Sequence, residues 1–167
     1  MKLKLPIIIV NFKAYRNGSG KKALRLAKIM ERVSKKYGVS FGIVPQFCDI
    51  RMIASEVDLP VFSQHIDPIE HGAFTGHVTA STIKEAGAIG TLINHSERKM
   101  KLRDVSTCIN IARELNLVSI VCASSLTEAK RIARFNPNFV AYEPPELIGS
   151  GKAVSKVKPG LVKSSYL

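Results

Sequence analysis

The sequence predicts an α/β domain in which parallel strands alternate with amphipathic helices and are covered by them. Three observations carry this reading. Short apolar, β-branched runs recur along the chain, the stretches between them switch to helical periodicity, and Gly, Asn and Pro mark many of the joins. Strands that alternate with helices must pair in parallel, because each parallel connection needs a crossover.

The runs Ile7 to Val10, Val39 to Val44, Val61 to Ser63, Gly90 to Ile93, Val118 to Cys122 and Phe139 to Tyr142 read as strands. Their continuous apolar character is that of strands buried on both faces. After the first run, Ala23, Leu26, Ala27, Met30 and Val33 form one stripe of a helix that Ser19 caps and Gly38 ends. Shorter helices are expected from Cys48 to Val57 and from Ala80 to Ala86, the latter stopped by Gly87. Asp104 begins another, with Val105, Cys108, Ile109, Ala112 and Leu115 on one face and Asn116 supplying a left-handed end. Ser125 and Glu128 form the S-x-x-E capping box of the next, which turns Leu126, Ala129, Ile132 and Ala133 inward and stops at Asn136-Pro137. A doubly wound sheet and a closed barrel both fit this order.

Length and composition narrow the function. A chain of 167 residues, 46% of them hydrophobic, suits one well-buried domain. The net charge of +12 raises nucleic acid, acidic membrane and small anions as partners. The basic residues, however, are spread along the chain and interleave with apolar ones, as in Lys21-Lys22-Ala23-Leu24-Arg25-Leu26-Ala27-Lys28. That pattern is a solvated helix face, so neither nucleic acid nor membrane is the expected partner. Cys48, Cys108 and Cys122 have no paired C-x-x-C spacing and read as reduced, buried thiols. The apolar run after Met1-Lys-Leu-Lys is too short for a secretory signal, and nothing approaches the roughly 20 apolar residues of a membrane helix. A cytoplasmic protein is expected. The first strand leads into Asn11-Phe12-Lys13 and not into G-x-G-x-x-G or G-x-x-x-x-G-K-[ST], which argues against dinucleotide binding and a P-loop.

Polar residues sit where the apolar runs end: Asn11 and Lys13 after the first, Asn94 and His95 after the fourth, Glu143 after the sixth. In a barrel those ends share one face. Singly, each reads as a solvated lysine, a capping histidine or a strand-end carboxylate. Together they are a cation, an imidazole and a carboxylate, the set that moves a proton next to a carbonyl.

Val10-Asn11-Phe12-Lys13, Leu92-Ile93-Asn94-His95-Ser96-Glu97 and Tyr142-Glu143-Pro144-Pro145-Glu146-Leu147-Ile148-Gly149-Ser150-Gly151 resemble, in order, three signature segments of the triosephosphate isomerase family. Their spacing is similar to its compact archaeal branch. The resemblance covers essentially the whole chain, including Gln64-His65-Ile66-Asp67 and Thr75-Gly76-His77, which look like the third loop of the family. It implies a (β/α)8 TIM barrel that interconverts D-glyceraldehyde 3-phosphate and dihydroxyacetone phosphate, in glycolysis and gluconeogenesis, with no metal or organic cofactor. Glu143 would then be the base, His95 the neutral hydrogen-bond donor to the substrate oxygen, and Lys13 the cation. Asn11, Ser96 and Glu97 would support them, Glu97 by pairing with Lys13. Pro144 to Lys156 would be a lid, with Ile148, Gly149, Ser150 and Gly151 reaching the substrate phosphate. The loop from His65 to Thr79 would insert into a neighbouring subunit of a homo-dimer or tetramer. His65, Asp67, Glu70, His71 and His77 lack a compact pair such as H-E-x-x-H, and no metal site is expected there.

A complete barrel of this kind needs at least about 200 residues. Residues 1–167 are therefore expected to be a single TIM-barrel domain of about six βα units, without the last two, and Lys158 to Leu167 resembles the start of the helix after the lid. The loops after strands seven and eight often bind phosphate in such barrels. Their absence puts turnover by this chain in question and leaves a second reading open, a non-catalytic or partner-complemented barrel fragment that binds anions.

Overall fold

The structure, a computed structural model, describes residues 3–144. The strands lie within a residue of the predicted runs: β1 Ile7–Asn11, β2 Ser40–Val44, β3 Phe62–Ser63, β4 Gly90–Ile93, β5 Val118–Ala123 and β6 Phe139–Tyr142. Helices α1 Lys21–Tyr37, α2 Ile50–Ala54, α3 Ala80–Glu85, α4 Leu102–Glu114 and α5 Leu126–Ala133 fall between them. Every strand pair is parallel. β1 pairs with β2, and β3 to β6 pair in sequence order. The two groups are stitched by a parallel bridge between Ile43 and Val61, where Ile43 N–H donates to the Pro60 carbonyl at 2.9 Å. Strand order thus runs from one to six without reversing. A doubly wound sheet reverses its order at a switch point, so that alternative is set aside.

The register brings the C-terminal ends into line. Asn11 sits opposite Val44, Ile93 opposite Val121, and Ala123 opposite Tyr142. The inner strands β2 to β5 bury residues on both faces, which explains their unbroken apolar runs. Ile43 packs outward among helix residues Ala27, Met30, Ile50 and Ile53, whereas its neighbour Val44 packs inward with Phe62, Leu92 and Ile120. Phe62 fills the inner layer because its neighbours are small: a Cβ at Gly42 or at Gly90 would stand 2.8 Å from its ring. Among the described residues, β1 and β6 each pair on one side only, and Ile8 and Val140 on them are exposed.

Several local expectations are corrected. Ser19 does not cap α1; Gly20 occupies the cap at φ 58°, while Ser19 Oγ donates to the Tyr15 carbonyl and accepts from Gln46. Gly38 ends the helix in the left-handed region as predicted. The helix expected from Cys48 to Val57 is a three-residue 3₁₀ turn, Phe47–Asp49, followed by the short α2. α4 begins at Leu102, two residues before Asp104, and Asn116 follows it at φ 54°. Ala133 on α5 is exposed rather than inward. All three cysteines are free, but Cys48 is exposed, whereas Cys108 and Cys122 are buried and burial pushes their thiols up to about 12. Among the described residues no helix is long and apolar enough to cross a membrane.

Candidate active site

The chain leaves β1 through a turn that its own polar residues hold. Lys13 adopts φ 50°, a left-handed conformation costly for a residue with a side chain. Asn11 Oδ1 accepts Lys13 N–H at 2.9 Å, and Gln64, just past β3, donates to the Lys13 carbonyl at 3.0 Å. Those bonds aim the Lys13 side chain at the end of β4. Its Nζ donates to Glu97 Oε1 at 3.0 Å. The Glu97 carboxylate holds the ammonium above the ordinary lysine range, against a smaller opposing effect of burial.

β4 gives way to Asn94, which is buried and left-handed at φ 61°. Its Oδ1 accepts Met100 N–H at 2.9 Å, closing the segment from 94 to 100 into an arc. His95 caps a 3₁₀ turn, Ser96–Arg98, and its Nδ1 accepts Glu97 N–H at 3.2 Å. An accepting Nδ1 leaves the proton of a neutral ring on Nε2. Nε2 faces β6, 3.5 Å from Glu143 Oε1, and the His95 side chain is only 12% exposed. Glu143 itself is placed by its N–H, which donates to the Ala123 carbonyl at 2.8 Å.

Lys13, His95 and Glu143, together with Asn11 and Glu97, therefore gather at the C-terminal ends of β1, β4 and β6. His95 stands in the middle, with Nδ1 toward Glu97 and Nε2 toward Glu143. A cleft of about 170 Å³ opens beside it, lined by Asn11, Lys13, Phe47, Gln64, His95 and Glu97. Among the described residues, Ser96 Oγ and Glu143 Oε2 are buried without a hydrogen-bond partner. A buried carboxylate oxygen with no donor is costly. The cleft is bordered by the His95 ring and the Lys13 ammonium, and the Glu143 carboxylate stands at the Nε2 edge of that ring.

Not every polar residue at the strand ends faces that space. Asn94 is a structural residue, spent on backbone groups and on Glu128. His65 borders the cleft, but its Nε2 is turned onto Asp67 Oδ1 at 3.1 Å, and Asp67 Oδ2 accepts Val78 N–H at 2.7 Å. Burial pushes the His65 imidazolium down, and the bonds from Val78 and His65 outweigh burial to hold Asp67 low. The outer part of that loop, including His71, Phe74 and His77, is exposed. No sequence pattern marks Gln64 as the brace of the Lys13 turn. The lid residues Ile148, Gly149, Ser150 and Gly151, and the segment Lys158 to Leu167, lie outside the described residues.

Known proteins that resemble the chain point to one family. The family profile described as triosephosphate isomerase matches residues 6–165. The chain is 45% identical over 159 residues to a triosephosphate isomerase of Methanocaldococcus jannaschii, covering 95% of this chain and 73% of that protein. A Methanothermus fervidus triosephosphate isomerase is 48% identical over 160 residues, with 96% and 72% covered. One from Archaeoglobus fulgidus is 47% identical over 162 residues, with 97% and 73% covered. The crystal structure of the Bartonella henselae triosephosphate isomerase superposes with a TM-score of 0.72 at 21% identity, covering 83% of this chain and 68% of that one, which bears on the fold alone. With sequence-ordered parallel strands, a TIM-barrel neighbour in structure and a profile match from residue 6 to residue 165, this chain belongs to the triosephosphate isomerase family.

Proposed function

We propose that this chain interconverts D-glyceraldehyde 3-phosphate and dihydroxyacetone phosphate through an enediolate, with Glu143 as base, His95 as hydrogen-bond donor and Lys13 as cation. The observation that carries the reading is the meeting of three strand ends at one histidine, 3.5 Å from the carboxylate on one ring edge and bonded to the Glu97 backbone on the other.

The carboxylate of Glu143 removes the C–H proton beside the substrate carbonyl and returns it to the adjacent carbon. Negative charge then gathers on the substrate oxygen, where the Nε2–H of His95 meets it. Because Glu97 N–H fixes the ring from behind, that donor needs no reorganisation at the moment of reaction. Lys13 neutralises the phosphate and the developing enediolate, and Glu97 orients it. Asn11 shapes the Lys13 turn and borders the oxygen side. Ser96 supports the turn that carries His95.

The wider reading goes with this. Ile148, Gly149, Ser150 and Gly151 act as lid donors to the phosphate; residues 1–167 form one TIM-barrel domain of about six βα units; the protein works in the cytoplasm. The exposed outer part of the loop between His65 and Thr79, with Phe74 at its tip, serves a homo-oligomeric contact. The inward His65–Asp67 pair anchors its base.

A coupled assay of triose phosphate isomerisation on the purified chain tests the activity. Glu143→Gln should lower kcat by roughly 10² to 10⁴, the usual share of a general base. Equal turnover by variant and parent removes Glu143 from the chemistry. A parent chain without turnover, yet binding inorganic phosphate, supports the anion-binding fragment instead.

A further inference from the structure

Glu128 lies at the third position of α5, where a capping box would send its carboxylate back to the backbone N–H of Ser125. Half of the box forms: Ser125 Oγ accepts Glu128 N–H at 3.1 Å. The carboxylate goes elsewhere. Oε2 accepts both the N–H and the hydroxyl of Ser124 at 2.7 Å, and Oε1 accepts from Lys99 Nζ at 2.6 Å and Asn94 Nδ2 at 2.9 Å. Four donors on one carboxylate exceed what an N-terminal helix position needs.

These partners share a location. Asn94 and Lys99 are near the two ends of the arc that carries His95, Ser96 and Glu97. Ser124 follows the last residue of β5, whose Ala123 carbonyl holds Glu143 N–H and whose Cys122 carbonyl holds Asn94 Nδ2. The separation between His95 and Glu143 is thus spanned by the end of β5, and Glu128 ties that end to both feet of the His95 arc.

We infer that Glu128 is a positioning residue for the isomerisation, setting the His95 ring against Glu143 through Asn94, Lys99 and Ser124. This deepens the functional reading above and rests on it for its kinetic consequence. Burial alone would raise the Glu128 carboxyl, but Lys99, Ser124 and Asn94 together hold it down to about 2. It therefore stays charged, and the clamp closed, at neutral pH. Loosening the arc moves Nε2 relative to both Glu143 and the substrate oxygen. A misplacement near 1 Å costs on the order of a hundredfold in rate.

Glu128→Gln and, separately, Lys99→Met on the full chain test the inference by kinetics and by ¹⁵N NMR of the His95 ring. The expected result is a kcat lower by roughly ten- to a hundredfold with KM changed less than about threefold, and Nδ1 and Nε2 resonances displaced toward a tautomer mixture. Glu128→Asp, which keeps the charge, should recover part of both. Unchanged His95 resonances in a folded Glu128→Gln chain overturn the inference. So does a loss of kcat in Glu128→Gln that follows only the loss of folded protein. The ring resonances need no turnover, so an inactive parent chain refutes the catalytic reading while leaving the positioning claim to be decided by NMR. Should Glu128→Gln not fold, Lys99→Met, which severs one foot of the clamp, decides on the same resonances.

Discussion

The two ends of β5 use similar polar residues and finish them differently. At its start, Ser119 N–H and hydroxyl both meet Asn138 Oδ1, at 2.9 and 3.1 Å, and Asn138 N–H returns to Ser119 Oγ at 3.0 Å. Arg113 beside them gives its guanidinium to Asn110 Oδ1 and to the carbonyls of Phe135 and Asn136. At the other end, the Cys122 and Ala123 carbonyls and Ser124 N–H are equally occupied, yet Ser96 Oγ and Glu143 Oε2 stay buried without partners among the described residues. An unsatisfied buried polar group costs about 1–3 kcal/mol. Saturation marks the end that holds the fold together, and the leftover acceptor lies at the end where the proposed function seats a substrate. Size would mislead here, since the cleft at the Arg113 end is about 330 Å³ against about 170 Å³ at the His95 end.

The sharpest way to break this contrast is to remove charge from the unsaturated end. Lys13→Met should lower kcat/KM by roughly a hundredfold or more if the ammonium acts, as proposed, both on the bound phosphate and on the enediolate. Steady-state kinetics should show kcat falling and KM rising together. A change confined to KM would reduce Lys13 to a simple phosphate anchor.

The next effect belongs to the saturated end. Asn138→Ala strips the acceptor from the buried Ser119 N–H and should destabilise the chain by about 1–3 kcal/mol, with kcat of the remaining folded protein unchanged. Urea unfolding beside kinetics measures both. Asn138→Asp, which keeps the acceptor oxygen, should lose less. A fall in kcat without a fall in stability would erase the division of labour between the two ends.

How much of this division is legible in the sequence depends on the range of the interactions. The strands are legible because burial on both faces writes itself as continuous apolar runs, and Gly38 and Asn116 announce helix ends by their tolerance of positive φ. Lys13 has no such tolerance. Its left-handed turn is braced locally by Asn11 and also by Gln64, 51 residues away, and no periodicity carries the second of these. Ser19 and Glu128 mislead for the same reason. Each stands at the right offset for a local cap, yet Ser19 is engaged by Gln46 and Glu128 by Lys99 and Asn94. That Lys13, His95 and Glu143 come together is readable because strand ends in a parallel barrel share one face. The braces between those ends are tertiary and required coordinates.

The smallest effect separates the two ends by pH. Glu128 has its carboxyl depressed from an ordinary 4.5 to about 2, so its stabilisation is complete above the unfolded value and is lost as pH falls through about 2. The stability difference between parent and Glu128→Gln should then be greatest above pH 5 and shrink steadily on acidification toward pH 2. The Ser119–Asn138–Arg113 cluster contains no carboxylate, so the cost of Asn138→Ala should stay level over the same window. Urea midpoints for the three chains at several acidic pH values make the comparison, and other depressed carboxylates such as Asp67 cancel because every chain carries them. A Glu128→Gln penalty that does not change with pH would mean that shape rather than charge holds the His95 arc, and the ion pair with Lys99 would lose its place in the account.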